Sequence, residues 1–453
     1  MSWPETTRRT AEGFLEFGGV SAVELAREFG TPLYVFDEET LRTRARRIRD
    51  AFVHAYERSR LVYAGKAYLS PALMRILVDE RIGLDVVSGG EIFAGLRAGV
   101  DPAEMIFHGN NKSRAELEEA VTAGVGLIAI DNDLEITLLE SVAQESGRDV
   151  DVVLRLNPGV DVHTHQKMRT GATDSKFGFP VWDGQAEDAA GRICRSARLD
   201  LVGYHAHVGS QIFDPMLVAR TIDVIIEFAG RVYRRWGTVP AVVIPGGGFG
   251  VADDASGADV PIADWAKAAA LAIERGCREH DFPPPVLVVE PGRAIIGPAG
   301  VALYAVGSRK TVPSVRTYVS VDGGMADNIR PALYGARYAA TLANRNPAGE
   351  PLETVTIAGK YCESGDVLID NVSLPQLDAG DLLAVPMAGA YCLAMASNYN
   401  LSPRPAAVIV ADGRARLIRR RETYDDLLRS DVFEPPPRAR LDERRLSAKK
   451  GSL

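Results

Sequence analysis

Eight short apolar runs, each followed by a stretch with helical spacing, constrain this chain more than any other feature. The runs are Leu61–Gly65, Gly83–Ser88, Met105–His108, Gly126–Ile130, Val150–Leu156, Leu201–Val208, Val242–Pro245 and Val286–Glu290. They are rich in Val and Ile and nearly continuous in hydrophobicity, the pattern of parallel strands buried on both faces. The segments between them carry helix signals. Ser70-Pro71 reads as an N-cap with Pro at the first helical position, followed by Leu73, Ile76 and Leu77 at helical spacing. Ser113 and Glu116 form a capping box, with Leu117, Ala120 and Val121 behind it and Gly124 as the stop. Eight such units predict an α/β fold with a TIM-type (β/α)8 barrel over residues 38–297. An open doubly wound sheet is the alternative built from the same units.

After residue 300 the pattern changes. Val301–Gly307, Thr317–Val321, Thr354–Ala358, Leu382–Pro386 and Ala407–Val410 read as strands separated by Gly, Pro, Asp and Asn, with weak helical periodicity. They predict a second, mostly β domain of sandwich or Greek-key barrel type. Pro32–Phe36 is a candidate strand for it, so residues 1–37 and 298–430 are expected to form one unit. No Gly/Ser linker separates the halves, so they are expected to pack tightly. Residues 431–453 read as a disordered tail. Its basic stretch, Arg438–Lys450, follows three prolines and is read as a solvated end rather than a binding arm.

Composition narrows the class of function. The 453 residues are 46% hydrophobic and 25% charged with net charge −8, which suits a large globular core and gives no reason to expect nucleic acid. No apolar run approaches the roughly 20 residues that span a bilayer, and the first residues lack a basic-then-apolar signal pattern. The four cysteines, Cys194, Cys277, Cys362 and Cys392, form no CxxC pair and are too sparse for a disulfide framework. A reducing, cytoplasmic location and no membrane partner are expected.

In a barrel of this kind the reactive groups lie at the C-terminal ends of the strands. There the sequence places Lys66, Asp85 and Ser88, His205 and His207, Gly209 and Ser210, Gly246-Gly247-Gly248, and Glu290-Pro291-Gly292-Arg293. Lys66, in an otherwise apolar stretch, either snorkels to the rim or acts as a desolvated amine able to attack an aldehyde. The glycine triplet is either a tight turn or a loop whose N–H groups surround a phosphate, with Ser210 adding a hydroxyl. Glu290 either pairs structurally with Arg293 or keeps a pyridine nitrogen protonated, which makes the ring a stronger electron sink. His205 and His207 point to one face. They are structural, or His207 lies flat against such a ring.

Read together, these motifs resemble the fold-type III pyridoxal-phosphate decarboxylases over roughly residues 30–430. The matching segments are Tyr63-Ala64-Gly65-Lys66-Ala67, Val87–Glu91, Ser175-Lys176-Phe177-Gly178, His207-Val208-Gly209-Ser210, Gly246–Gly248 and Glu290–Arg293 in the barrel. In the second domain they are Asp322–Gly324, Arg330–Tyr334, Cys362-Glu363-Ser364 with Asp366, and Gly389-Ala390-Tyr391. The resemblance implies pyridoxal 5'-phosphate attached to Lys66, with His207 stacked on its ring and Glu290 on the pyridine nitrogen. It implies a phosphate held by Ser210, Gly246, Gly247, Gly248 and the backbone of Pro291, Gly292 and Arg293, with Tyr391 also reaching the cofactor. It further implies a homodimer with shared sites, in which the neighbouring subunit contributes Cys362 as proton donor and Glu363.

Within the family the residues resemble the branch that converts meso-2,6-diaminopimelate to L-lysine and CO2. That substrate keeps an amino-acid group at its unreacted end. Arg293, Arg330 and Tyr334 can bind its carboxylate and Glu363 its ammonium, and Tyr391 is also expected to touch the substrate. Decarboxylases of ornithine, lysine, arginine or a carrier-bound amino acid remain the alternative. The middle of His163–Gly171 departs from the family pattern, which leaves substrate preference open there. His163 and His165 lack a Cys or carboxylate partner at metal-ligand spacing, so no metal is expected.

Overall fold

The computed structural model describes residues 3–160, 174–252 and 260–432. The His163–Gly171 stretch and the predicted tail beyond Val432 lie outside the described residues.

The barrel is closed. Its strands run Ser59–Ala64, Gly83–Val86, Met105–Phe107, Leu127–Ile130, Val150–Asn157, Leu199–His205, Val242–Gly246 and Val286–Val289. Neighbours pair in parallel. Ile128 faces Val152 between the fourth and fifth strands, and Val289 faces Leu61 where the eighth returns to the first. That last pairing rules out the open sheet. The helix signals act as expected. Ser70 Oγ accepts from the Leu73 N–H at the start of Pro71–Asp79. Ser113 and Glu116 form a reciprocal capping box on Arg114–Ala123, which stops at Gly124 in the left-handed conformation.

Side chains alternate across each strand. One face packs outward on the helices. The other fills the barrel with Val62, Ile106, Ala129, Val153, Ile244 and Val288. Two residues further toward the C-terminal end, the same inward face carries Ala64, His108, Asp131, Arg155 and Glu290. The period of two that builds the core therefore also delivers the polar groups at its top.

The second sheet runs Val367–Pro375, Leu352–Ala358, Arg316–Val321, Gly300–Val312, Leu33–Asp37, Ala406–Ala411 and Arg414–Arg419. Leu33–Asp37, which precedes the barrel in sequence, lies antiparallel to Gly300–Val312 and parallel to Ala406–Ala411. Leu382–Val385 also pairs with Gly300–Val312. The sequence reading lacks Val367–Pro375 and Arg414–Arg419. The first is interrupted by Asp370-Asn371, where Asn371 takes φ 50° and reads as a turn. The second is a largely exposed edge strand with three arginines, a common guard against edge-to-edge pairing.

Candidate active site

A cavity of about 480 Å³ opens at the C-terminal ends of the barrel strands. Lys66, Asp85, His108, Arg155, His205, His207, Ser210 and Glu290 line it from the barrel, together with Arg293. Arg330, Tyr334 and Tyr391 line it from the second domain. Residues far apart in sequence thus meet here because eight strand ends converge and the β domain covers them.

Lys66 sits in a single helical turn, Gly65–Ala67, directly after the first strand. The turn is fixed from two sides. The Ala64 N–H donates to the Pro291 carbonyl at 3.3 Å, and the Tyr391 N–H donates to the Ala67 carbonyl at 2.8 Å. A side chain on Gly65 would meet the Asp85 carbonyl oxygen at 2.8 Å, so the residue before Lys66 must stay small.

Glu290 is buried, and histidines flank it rather than Arg293. His205 Nε2 lies 3.3 Å from one carboxylate oxygen and His108 Nε2 lies 3.0 Å from the other. The structural pairing with Arg293 considered from the sequence is therefore absent. Glu290 ends the inward face of the eighth strand, whereas Arg293 opens the helix Arg293–Ile296 beyond it. Burial opposes the Glu290 charge, but His205 and His108 outweigh it and hold the carboxyl well below its usual range. Burial also drives His205 down to about 3 and His207 well below the ordinary imidazole value. Both rings are neutral at pH 7, and His205 faces Glu290 as an N–H donor. Burial raises Asp85, another carboxyl that lines the cavity.

The glycine loop is built for close backbone approach. Gly246 and Gly248 take φ 82° and 90°. A Cβ on Gly247 would lie 2.0 Å from the Glu290 carbonyl oxygen, and one on Gly248 2.3 Å from that of Gly209. The Gly247 N–H donates to His207 Nδ1 at 3.4 Å, which places the ring's proton on Nε2. Ser210 Oγ accepts from Arg293 at 3.4 Å, and the Arg293 guanidinium lies 4.7 Å over the Tyr391 ring. Arg293 and Arg330 are only 8% and 5% exposed. Burial, then the neighbouring Arg330 charge, lower Arg293 to about 10, so it stays cationic at pH 7.

Cys362 and Glu363 are exposed and do not border the cavity of their own chain. His108, Arg155 and Lys112 were not singled out from sequence. His108 and Arg155 lie two residues beyond the inward-facing Ile106 and Val153, and that spacing was the signal that would have found them. Arg155 lies 4.3 Å over the Phe177 ring and 3.3 Å from Asp131, which accepts the Gly178 N–H at 2.8 Å. The Ser175–Gly178 motif is thereby anchored at the cavity wall. Lys112 is buried and donates to Glu135 at 2.9 Å. Among the described residues, His108, His205 and Glu290 also bring one potential metal-ligand atom each within 4.8 Å of one another. No helix there is long and apolar enough to cross a membrane.

Residues 39–297 match the family model of the pyridoxal-dependent decarboxylase pyridoxal-binding domain. The diaminopimelate decarboxylase of Bacillus subtilis is 46% identical over 94% of this chain and 97% of its own length. That of Mycobacterium tuberculosis is 42% identical over 95% and 97%. A crystal structure of diaminopimelate decarboxylase from M. jannaschii with L-lysine has a TM-score of 0.88 and 32% identity, covering 96% of this chain and 99% of that one.

The donor set fits pyridoxal phosphate. A lysine amine, an anionic carboxylate, a neutral imidazole face and a glycine loop with no room for side chains border one cavity. The Arg293 Nε is buried without a hydrogen-bond partner, as suits a group that awaits an anion. By sequence, fold and cofactor chemistry the chain belongs to the pyridoxal-dependent decarboxylases, in their diaminopimelate decarboxylase family.

Proposed function

We propose that this enzyme converts meso-2,6-diaminopimelate to L-lysine and CO2 in the cytoplasm, as a homodimer with shared sites. The observation that carries the substrate assignment is the pair of buried arginines, Arg293 and Arg330, in the cavity that holds Lys66 and Glu290. Buried guanidiniums favour an anionic ligand, and a substrate with a second carboxylate brings one at the end that does not react. Lysine and ornithine, with one carboxylate to lose, bring no distal carboxylate.

The cofactor, when bound, supplies the sink for the electron pair of the broken carbon–carboxylate bond. The chain does the rest. Lys66 Nζ is the amine for its attachment. Glu290, held anionic, keeps a proton on the ring nitrogen, and His207 offers a flat neutral face to the ring. The Gly246–Gly248 loop, the Ser210 hydroxyl and the backbone N–H of Gly292 would hold the phosphate, while Pro291, which has no N–H, sets the turn that presents Gly292. Arg293, Arg330, Tyr334 and Tyr391 bind the end of the substrate that does not react. That grip would fix the orientation of the carboxylate that departs. Cys362 and Glu363, exposed on one copy, reach the cavity of the other. There Cys362 returns a proton to the carbon that lost CO2, and Glu363 holds the retained ammonium.

CO2 release is measured with meso-diaminopimelate, L-lysine and L-ornithine in turn. The proposal expects turnover with the first and little with the others. Preferred turnover of lysine or ornithine contradicts it.

A further inference from the structure

Arg330 is held from behind by a relay that no part of the proposed chemistry uses. Its Nη1 donates to the Tyr338 hydroxyl at 2.6 Å. That hydroxyl lies 3.2 Å from Cys392 Sγ, and the Cys392 thiol donates to the Ala390 carbonyl at 3.6 Å. With its oxygen accepting from Arg330 and the thiol proton already engaged, Tyr338 turns its own proton to the sulfur. Every link then runs donor to acceptor in one direction. Burial keeps the phenol and the thiol protonated, as the relay requires.

Tyr338 and Cys392 are 8% and 0% exposed, and neither borders the cavity. The relay ends on Ala390, the residue before Tyr391. The Tyr391 ring carries the other arginine, and its N–H is tied to Ala67 beside Lys66. An arginine has many rotamers, and holding one of them without substrate lowers the entropy lost on binding. We propose that Tyr338, backed by Cys392, is the positioning residue that fixes Arg330 for the retained carboxylate of the substrate. It sets discrimination for that group and not the rate of bond cleavage. The inference rests on the assignment of Arg330 made above.

The test compares two competitive inhibitors. L-lysine has the carboxylate that Arg330 is assigned to hold, and 1,5-diaminopentane is the same chain without it. In Tyr338→Phe holoenzyme, the KM for diaminopimelate and the Ki for lysine are expected to rise about tenfold, the weight of one charged hydrogen bond. The kcat and the Ki for diaminopentane are expected to stay within about twofold. Cys392→Ala, which removes only the second link, is expected to shift the lysine-to-diaminopentane ratio the same way but less. Arg330→Lys is the reference. If it shifts the ratio and neither relay variant does, the role of Tyr338 is overturned and the Arg330 assignment stands. If Arg330→Lys also leaves the ratio unchanged, the assignment itself fails, and the inference with it.

Discussion

His205 Nε2 stands 3.3 Å from the Glu290 carboxylate, joining the ends of the sixth and eighth barrel strands. The histidine is neutral and the carboxylate charged, so the pair presents one negative charge to the cavity. That charge is what a protonated pyridine ring needs in order to act as an electron sink.

Glu290→Gln keeps the shape and removes the charge. The kcat for decarboxylation is expected to fall by about a hundredfold or more, the scale of a lost preorganised electrostatic contact. Cofactor content, read from the visible absorbance of the purified protein, is expected to stay close to wild type. Steady-state kinetics beside that spectrum check both.

The His205 shift has a stability consequence. Its value falls from 6.5 to about 3 on folding, so the unfolded chain binds the extra proton between those limits. The contribution is fully present above pH 6.5 and is lost as pH falls toward 3. Between pH 6.5 and 5 the wild type is expected to lose up to about 2 kcal/mol relative to His205→Asn. Urea denaturation of both proteins across that range measures the difference, and parallel pH profiles contradict it.

Gly247→Ala forces a Cβ to 2.0 Å from the Glu290 carbonyl oxygen, which is backbone and cannot swing aside. The glycine loop must move, and with it the donors proposed to hold the phosphate. Cofactor is expected to be lost on dialysis. Gly307→Ala, whose Cβ meets only the Ser320 carbonyl oxygen at 3.5 Å, is expected to keep it. Spectra before and after dialysis distinguish the two.

The proposed sharing of sites between two copies predicts complementation. Lys66→Ala and Cys362→Ala are each expected to be nearly inactive as homodimers. After mixed reassociation, a hybrid dimer has one site with both natural residues, so about a quarter of wild-type activity is expected to return. No recovery from the mixture contradicts a Cys362 that crosses to the other copy.

The barrel was legible because its strands are buried on both faces and read as continuous apolar runs, and because Ser70, Ser113 and Gly124 mark helix ends by local chemistry. The site was legible where a residue sits oddly in such a run, as Lys66 does. His108 was not, since one histidine just after a three-residue strand gives no local sign that it faces Glu290 from three strands away around the barrel. Arg293, three residues from Glu290, offered the nearer opposite charge in sequence. The turn from strand to helix carries it off to Ser210 and Tyr391 instead. Tyr338 and Cys392 are 54 residues apart and meet only through the folded β domain. The edge strand Arg414–Arg419 hid behind its own charges.

The proposed chemistry begins with a covalent bond between the Lys66 amine and the aldehyde of the cofactor. Borohydride reduction of the holoenzyme, followed by proteolysis and peptide mass mapping, reads that bond. The expected result is a pyridoxyl-phosphate mass on the peptide that contains Lys66 and on no other. A Lys66 peptide recovered unmodified, with the label on another lysine or absent, contradicts the account.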